Sequence, residues 1–189
     1  MMIWLVSGVA LWAIMHFIPT VLPRVRGTLI TSLGEKPYSG IFALAVLVSL
    51  VMMVVGWRTT VPVVLYAPPW WGQNFAILLM FASINLFGAA HAKTNIKRVI
   101  RHPMLTGMLF WAIAHIAANG DIRSLILFGG LGLWSAAEMS LINKREGVWV
   151  KPEKASLRSE GIAATVSVVI FLVLIALHPY FAGVSLLPV

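Results

Sequence analysis

Cysteine is absent from this chain of 189 residues, and charged residues are scarce. Without thiolates the chain has no disulfides, iron–sulfur clusters, cysteine-ligated haem or cysteine-based zinc sites. Charged side chains make up only 11% of the residues, whereas about a quarter is usual in soluble domains. The composition therefore does not suit a water-facing shell around a single core.

Hydrophobic residues make up 60% of the chain, and its mean hydropathy is +0.92. Such a composition is typical of membrane proteins. The formal net charge of +8 is also found in nucleic-acid-binding proteins, but here the basic residues fall in short gaps between apolar stretches. In those gaps they meet lipid headgroups and determine topology. We therefore expect membrane lipid, and no nucleic acid, as a partner.

Six apolar runs are long enough to cross about 30 Å of hydrocarbon. They cover residues 2–19, 40–57, 71–91, 104–119, 124–142 and 161–182. Each run is continuously apolar over a length that is typical of membrane-spanning helices. The sequence thus predicts an all-α transmembrane helical bundle with six spans, forming a single domain over residues 1–189.

The basic residues are distributed unevenly between the gaps. Twelve of the 14 lysines and arginines fall in the first, third and fifth gaps, while Arg58 and Arg123 stand alone in the other two. Cytoplasmic loops of membrane proteins carry the excess of Lys and Arg. This distribution predicts that the first, third and fifth gaps are cytoplasmic and that both termini lie outside, in a bacterial inner membrane.

Two histidines lie inside apolar runs, where an unpaired polar side chain is costly to bury. His16 is in the first run and His115 is in the fourth. Gly107, Trp111 and His115 recur every four residues and share one helix face, which predicts a pocket opened by Gly107. Two imidazoles on different helices favour a b-type haem iron over a catalytic metal. Hydrogen bonding of each histidine to a neighbouring helix remains the alternative.

The predicted topology places these two histidines at different depths. His16 lies eight residues before Arg24, and His115 lies fourteen residues after Arg101. Their distances from the inner boundary therefore differ by six residues, or roughly 9 Å along a helix. A haem bound by both histidines would have to be tilted, unless one of the helices is offset.

Other polar residues are weaker candidates. Glu138 is expected to reach Lys144 or Arg145 at the inner boundary, rather than to carry a proton. Arg101 and His102 fall at the level of the inner headgroups, where they can contact lipid phosphate. We regard these last two as secondary candidates for cofactor binding.

Several motifs resemble those of one membrane protein family. Residues 101–103 read Arg-His-Pro, residues 109–115 read LFWAIAH, residues 118–121 read ANGD, and residues 124–130 read SLILFGG. These segments, together with His16 in the first run, resemble the NnrU family over nearly the whole chain. The resemblance implies an association with nitrite and nitric oxide reductase expression in denitrifying bacteria.

The family is also similar to a plant and cyanobacterial enzyme, 15-cis-zeta-carotene isomerase, which holds haem b. The resemblance implies that His16 and His115 match its two axial histidines. That isomerase carries a cysteine three residues before the second histidine, where this chain has Ala112. An exchange of histidine and cysteine ligands is therefore excluded here.

Three functions follow as hypotheses from the residues and the resemblance. The first is a haem b protein, ligated by His16 and His115, that serves nitrogen-oxide respiration or electron transfer. The second is a haem-dependent cis/trans isomerase of a carotenoid-type polyene. The third is a non-enzymatic assembly factor for another membrane complex. A more distant resemblance to isoprenylcysteine-type methyltransferases rests on Arg-His-Pro alone, because residues 143–147 lack the paired glutamates of those enzymes.

Overall fold

The computed structural model describes residues 1–186, which are mainly helical. Five helices are long and apolar enough to cross a membrane, and a sixth apolar helix is shorter. The chain is therefore a multi-pass membrane protein. In chain order the helices are α1 (Met2–Val21), α2 (Pro23–Leu33), α3 (Glu35–Thr59), α4 (Gly72–His91), α5 (Pro103–Ala118), α6 (Ile122–Glu146) and α7 (Leu157–Ala182).

Each predicted apolar run lies on a separate helix, but two features differ from expectation. The run 104–119 forms α5, whose 16 residues extend only about 24 Å, less than the usual hydrocarbon thickness of about 30 Å. The first gap contains a further helix, α2, which begins at Pro23 directly after α1 ends. Proline is well suited to the first position of a helix because its missing N–H would be unpaired there anyway.

The second gap folds back over the C-terminal end of α5. The hydroxyl of Tyr66 donates to the carbonyl oxygens of Ile116 and Asn119, the latter at 2.7 Å. The backbone N–H groups of Leu65 and Tyr66 both donate to the Gly120 carbonyl, at 2.7 and 3.2 Å. The last carbonyl groups of a helix have no hydrogen-bond partner within the helix. This loop supplies donors to them and so stabilises the end of α5.

Asp121 caps the start of α6. Its carboxylate accepts from the backbone N–H groups of Arg123 and Ser124 and from the Ser124 hydroxyl, the last at 2.7 Å. Burial alone would raise the pKa of Asp121, but the hydrogen bonds from Ser124 and Arg123 and the Arg123 charge outweigh it and hold that pKa below its usual value. The cap is therefore charged at neutral pH, and its stabilising effect is lost only in acid, as the pH falls below the usual carboxyl pKa and through the lowered one.

Small residues form the contacts between helices. A Cβ atom at Gly8 would lie 2.8 Å from the Met53 nitrogen, and one at Gly56 would lie 2.3 Å from the Leu5 nitrogen, so α1 and α3 pack backbone to backbone. Small residues at helix interfaces allow such close approach in membranes. The core beside this contact consists of Leu5, Val9, Met53 and Leu131.

Helix α6 packs between α1 and α5 and fixes their directions. Val9 contacts Gly130 on α6 and His16 contacts Trp134, so α1 and α6 run parallel. Ala112 contacts Gly132 on α6, while His115, further along α5, contacts the earlier residue Phe128. Helix α5 therefore runs antiparallel to both α6 and α1.

Candidate functional site

His16 lies in an aromatic cluster between α1, α3 and α6. Its ring stacks on Trp12 with centroids 4.3 Å apart, and it meets Trp134 edge-on at 5.1 Å and Phe42 at 5.5 Å. Its Nδ1 atom lies 2.8 Å from the carbonyl oxygen of Trp12, one turn earlier. Because a carbonyl only accepts, this contact assigns the proton to Nδ1 and leaves the lone pair on Nε2.

His115 lies in a second aromatic cluster, between α5 and α6. Its ring stacks on Phe128 with centroids 4.3 Å apart and lies 5.0 Å from Trp111. Its Nδ1 atom is 2.8 Å from the Trp111 carbonyl oxygen, again one turn earlier. The proton is therefore on Nδ1 here too, and Nε2 carries the lone pair.

The two histidines end the same short sequence. Residues 12–16 read WAIMH and residues 111–115 read WAIAH, so four of the five positions are identical. Both copies place the imidazole beside the tryptophan one turn earlier and tie Nδ1 to its carbonyl. The repeat is confined to five residues, so it does not appear when whole spans are aligned.

Helix α6 shows how far apart the two histidines are. The residues that meet them, Trp134 and Phe128, are six positions apart, which corresponds to about 9 Å along the helix. Leu131 is buried midway between them. Side chains of a helix lean towards its N-terminus, and because α1 and α5 are antiparallel, the two imidazoles lean towards each other. The separation between the rings is therefore smaller than that between the backbones.

A π-helical turn in α6 lies beside His115. It covers Leu125–Gly129 and so contains Phe128, the ring on which the imidazole stacks. Single π turns inside α-helices occur frequently at functional sites. Trp134 lies on the same helix, one and a half turns further on. The π turn therefore affects the angle about the helix axis between Phe128, which contacts His115, and Trp134, which contacts His16.

The other residues predicted for the site are located elsewhere. Gly107 packs against α4, where the Ser83 hydroxyl donates to the Gly107 carbonyl at 2.7 Å. Its small size therefore serves the contact between α4 and α5. His102 and Arg101 stand at the other end of α5 from His115, and Arg101 donates to the Gly147 carbonyl at 2.7 Å. These two side chains tie the start of α5 to the end of α6.

Glu138 differs from its predicted arrangement. Its carboxylate accepts a hydrogen bond from the Thr20 hydroxyl on α1, not from Lys144 or Arg145. Arg145 instead donates to the Pro19 carbonyl at 3.1 Å and pairs with Glu146. The prediction was wrong because it considered only neighbours on the same helix, whereas α1 packs directly against this face of α6.

Three buried polar atoms on α1 and α6 have no hydrogen-bond partner among residues 1–186. They are Nε1 of Trp12, Nε1 of Trp134 and Oε2 of Glu138. Glu138 and Trp134 are only 6% and 7% exposed. Buried polar groups in native proteins are nearly always paired, so a site with unpaired donors and an acceptor suits a bound polar or ionic group.

A family model described as NnrU protein matches residues 4–186 of the chain. The chain belongs to the NnrU family. Residues 12–16 and 111–115, which we call the WAI motifs of this NnrU chain, both lie within the match, which runs from the first turn of α1 to the end of α7. Comparisons with curated proteins and with solved structures gave no match.

Within this NnrU chain, Ala112 has a clear packing role. It is 1% exposed, and its Cβ atom is the nearest neighbour that a side chain at Gly132 would meet, at 2.9 Å. The residue at the position of the isomerase cysteine therefore fills the contact between α5 and α6. Among the described residues, no group of three or more histidines, aspartates or glutamates is placed to hold a metal ion.

Proposed function

We propose that this NnrU protein binds haem b within the membrane through His16 and His115 and serves electron transfer in nitrogen-oxide respiration. The observation that carries the proposal is the pair of WAI motifs on antiparallel helices. Each motif presents an imidazole whose Nδ1 is held by a carbonyl, and both imidazoles lie against α6. Iron-ligating histidines are characteristically held in this way through their second nitrogen.

The side chains around the two histidines offer atoms that suit haem. Nε2 of each histidine makes no hydrogen bond to residues 1–186, and the unpaired indole N–H groups of Trp12 and Trp134 offer further donors. Bound haem would supply one-electron redox chemistry. The aromatic rings of Trp12 and Phe128 cover one face of each imidazole and exclude water from it.

The haem proposal is tested by purifying the protein in detergent after expression with ample haem. We expect a Soret band and about one haem per chain, because one pair of imidazoles completes one set of axial ligands. A preparation that shows no Soret band, and into which added haemin does not bind, would contradict the proposal. Co-purification of a stable membrane complex by the haem-free protein would instead support an assembly role.

We further propose six membrane crossings with both termini outside. The shorter α5 joins the five long helices as a span, and it is extended at its outer end by the loop that Tyr66 holds. The excess of basic residues then assigns α2, the segment between α4 and α5, and the segment between α6 and α7 to the cytoplasm of a bacterial inner membrane.

Labelling of single cysteines tests this orientation without background, because the chain has no cysteine of its own. Val61 in the loop after α3 is 77% exposed, and Lys154 before α7 is exposed as well. In intact spheroplasts we expect a membrane-impermeant maleimide to label Val61→Cys and to label Lys154→Cys only after permeabilisation. Equal labelling of both variants in intact spheroplasts would contradict the six-span arrangement.

A further inference from the structure

A long apolar groove runs along the junction of α4 and α7. Its volume is about 670 Å³, and its apolar walls are formed by Ile84 and Phe87 on α4 and by Ile162, Val166, Ile170 and Leu174 on α7. The two helices touch directly where a Cβ atom at Gly88 would lie 2.5 Å from the Ser167 hydroxyl. Ser167 is the one buried residue of α7. The groove therefore runs beside a narrow line of contact between the helices.

The length of the groove matches one leaflet of a bilayer. Ile162 and Leu174 are twelve residues apart on α7, which corresponds to about 18 Å along the helix. Half of a hydrocarbon core about 30 Å thick is about 15 Å. An extended acyl chain of a single leaflet therefore has the right length to lie along the groove.

One end of the groove is polar and positively charged. His91 at the end of α4 lines it together with Ser156, Arg158 and Ser159 at the start of α7. Arg158 makes no hydrogen bond or ion pair to residues 1–186, so its guanidinium is available to a ligand. The nearest acid along the chain, Glu160, is already occupied by the backbone N–H of Asn95.

We propose that this groove binds one anionic phospholipid, with an acyl chain along α7 and the phosphate at Arg158. The charge of the polar end favours an anionic headgroup over a zwitterionic one, because basic pockets between helices at the membrane surface recognise anionic lipids. Guanidinium also pairs with phosphate through two parallel hydrogen bonds. The site is separate from the histidines and does not depend on haem; only its assignment to the inner leaflet rests on the proposed orientation.

Native mass spectrometry of the full chain with phosphatidylglycerol and phosphatidylcholine tests the proposal. Wild-type protein is expected to retain one phosphatidylglycerol in preference to phosphatidylcholine. Arg158→Gln should weaken that binding about fivefold, the effect of removing one basic residue beside an anionic headgroup. Lys154→Gln is the matched control, because it removes the same charge from the same segment outside the groove and should leave binding unchanged.

A second pair of variants tests the acyl-chain part of the site. Ala163 lines the groove, whereas Ala164 is exposed on α7 and does not. Ala163→Trp should fill the groove and abolish retention of phosphatidylglycerol, while Ala164→Trp should retain it. Equal retention of the two lipids by the wild type, or equal binding by both tryptophan variants, would overturn the proposal.

Discussion

Replacing His115 with alanine is expected to weaken haem retention by more than about 100-fold, because losing even an outer-shell partner of a metal ligand costs 10–100-fold. His16→Ala should have a similar effect, since the two imidazoles have the same local arrangement. The measurement is the Soret absorbance per chain after purification in detergent. His91→Ala is the matched control, because His91 lies at the C-terminal end of α4 and lines the groove between α4 and α7, on neither of the helices that carry the two motifs.

A disturbed fold would also cause loss of haem, so a second measurement distinguishes a missing ligand from a misfolded variant. Free imidazole added to His115→Ala should restore haem binding if only the ligand is missing, because the cavity left by the side chain admits it. Monodisperse elution of the variant shows that the bundle remains intact. Full haem retention by His115→Ala or His16→Ala would contradict the assignment of that residue as a ligand, even where the wild type binds haem.

Replacing Gly8 with leucine is expected to give the largest loss of stability. A Cβ atom at Gly8 would lie 2.8 Å from both the Met53 nitrogen and the Ser49 carbonyl oxygen, and neither backbone atom can move aside. Overpacking of this kind costs about 3 kcal/mol, which lowers the melting temperature of a chain of this size by about 6–12 °C. The measurement is thermal unfolding in detergent, followed by intrinsic tryptophan fluorescence.

Gly40→Leu is the matched control for that substitution. Gly40 lies on α3, the helix that Gly8 contacts, and a Cβ atom there would meet nothing within 4 Å. Both changes improve helix propensity by the same amount. The difference between the two melting temperatures therefore reports the effect of packing alone. Equal melting temperatures for the two variants would show that α1 and α3 do not pack backbone to backbone.

The apolar helices could be predicted from the sequence, because the thickness of the bilayer sets the length of an uninterrupted apolar run. The sequence did not predict α2, since Arg24 and Arg26 interrupt any apolar run there and the helix shows no membrane-spanning pattern. The end of α5 at Ala118 was predicted to within one residue, but the contacts that cap it were missed. That end depends on Tyr66, which is distant in sequence, and no local pattern indicates such a contact.

The sequence singled out the two histidines of the candidate site but not the residues that surround them. A histidine within an apolar run is conspicuous because few other polar residues accompany it. The partners of His16 and His115, Trp134 and Phe128, depend on how α6 is rotated between α1 and α5. Gly107 was misplaced for the same reason, since a helix in a bundle buries several faces and periodicity alone does not say which one faces α4.

The spin state of the ferric haem protein tests the central proposal most directly. Electron paramagnetic resonance of the purified wild type at low temperature should show a low-spin signal, as expected when two imidazoles supply the axial ligands. His115→Ala loaded with haemin should shift to a high-spin signal, because a single imidazole remains. A high-spin signal from the wild type, or a low-spin signal unchanged in both His16→Ala and His115→Ala, would contradict ligation by this pair.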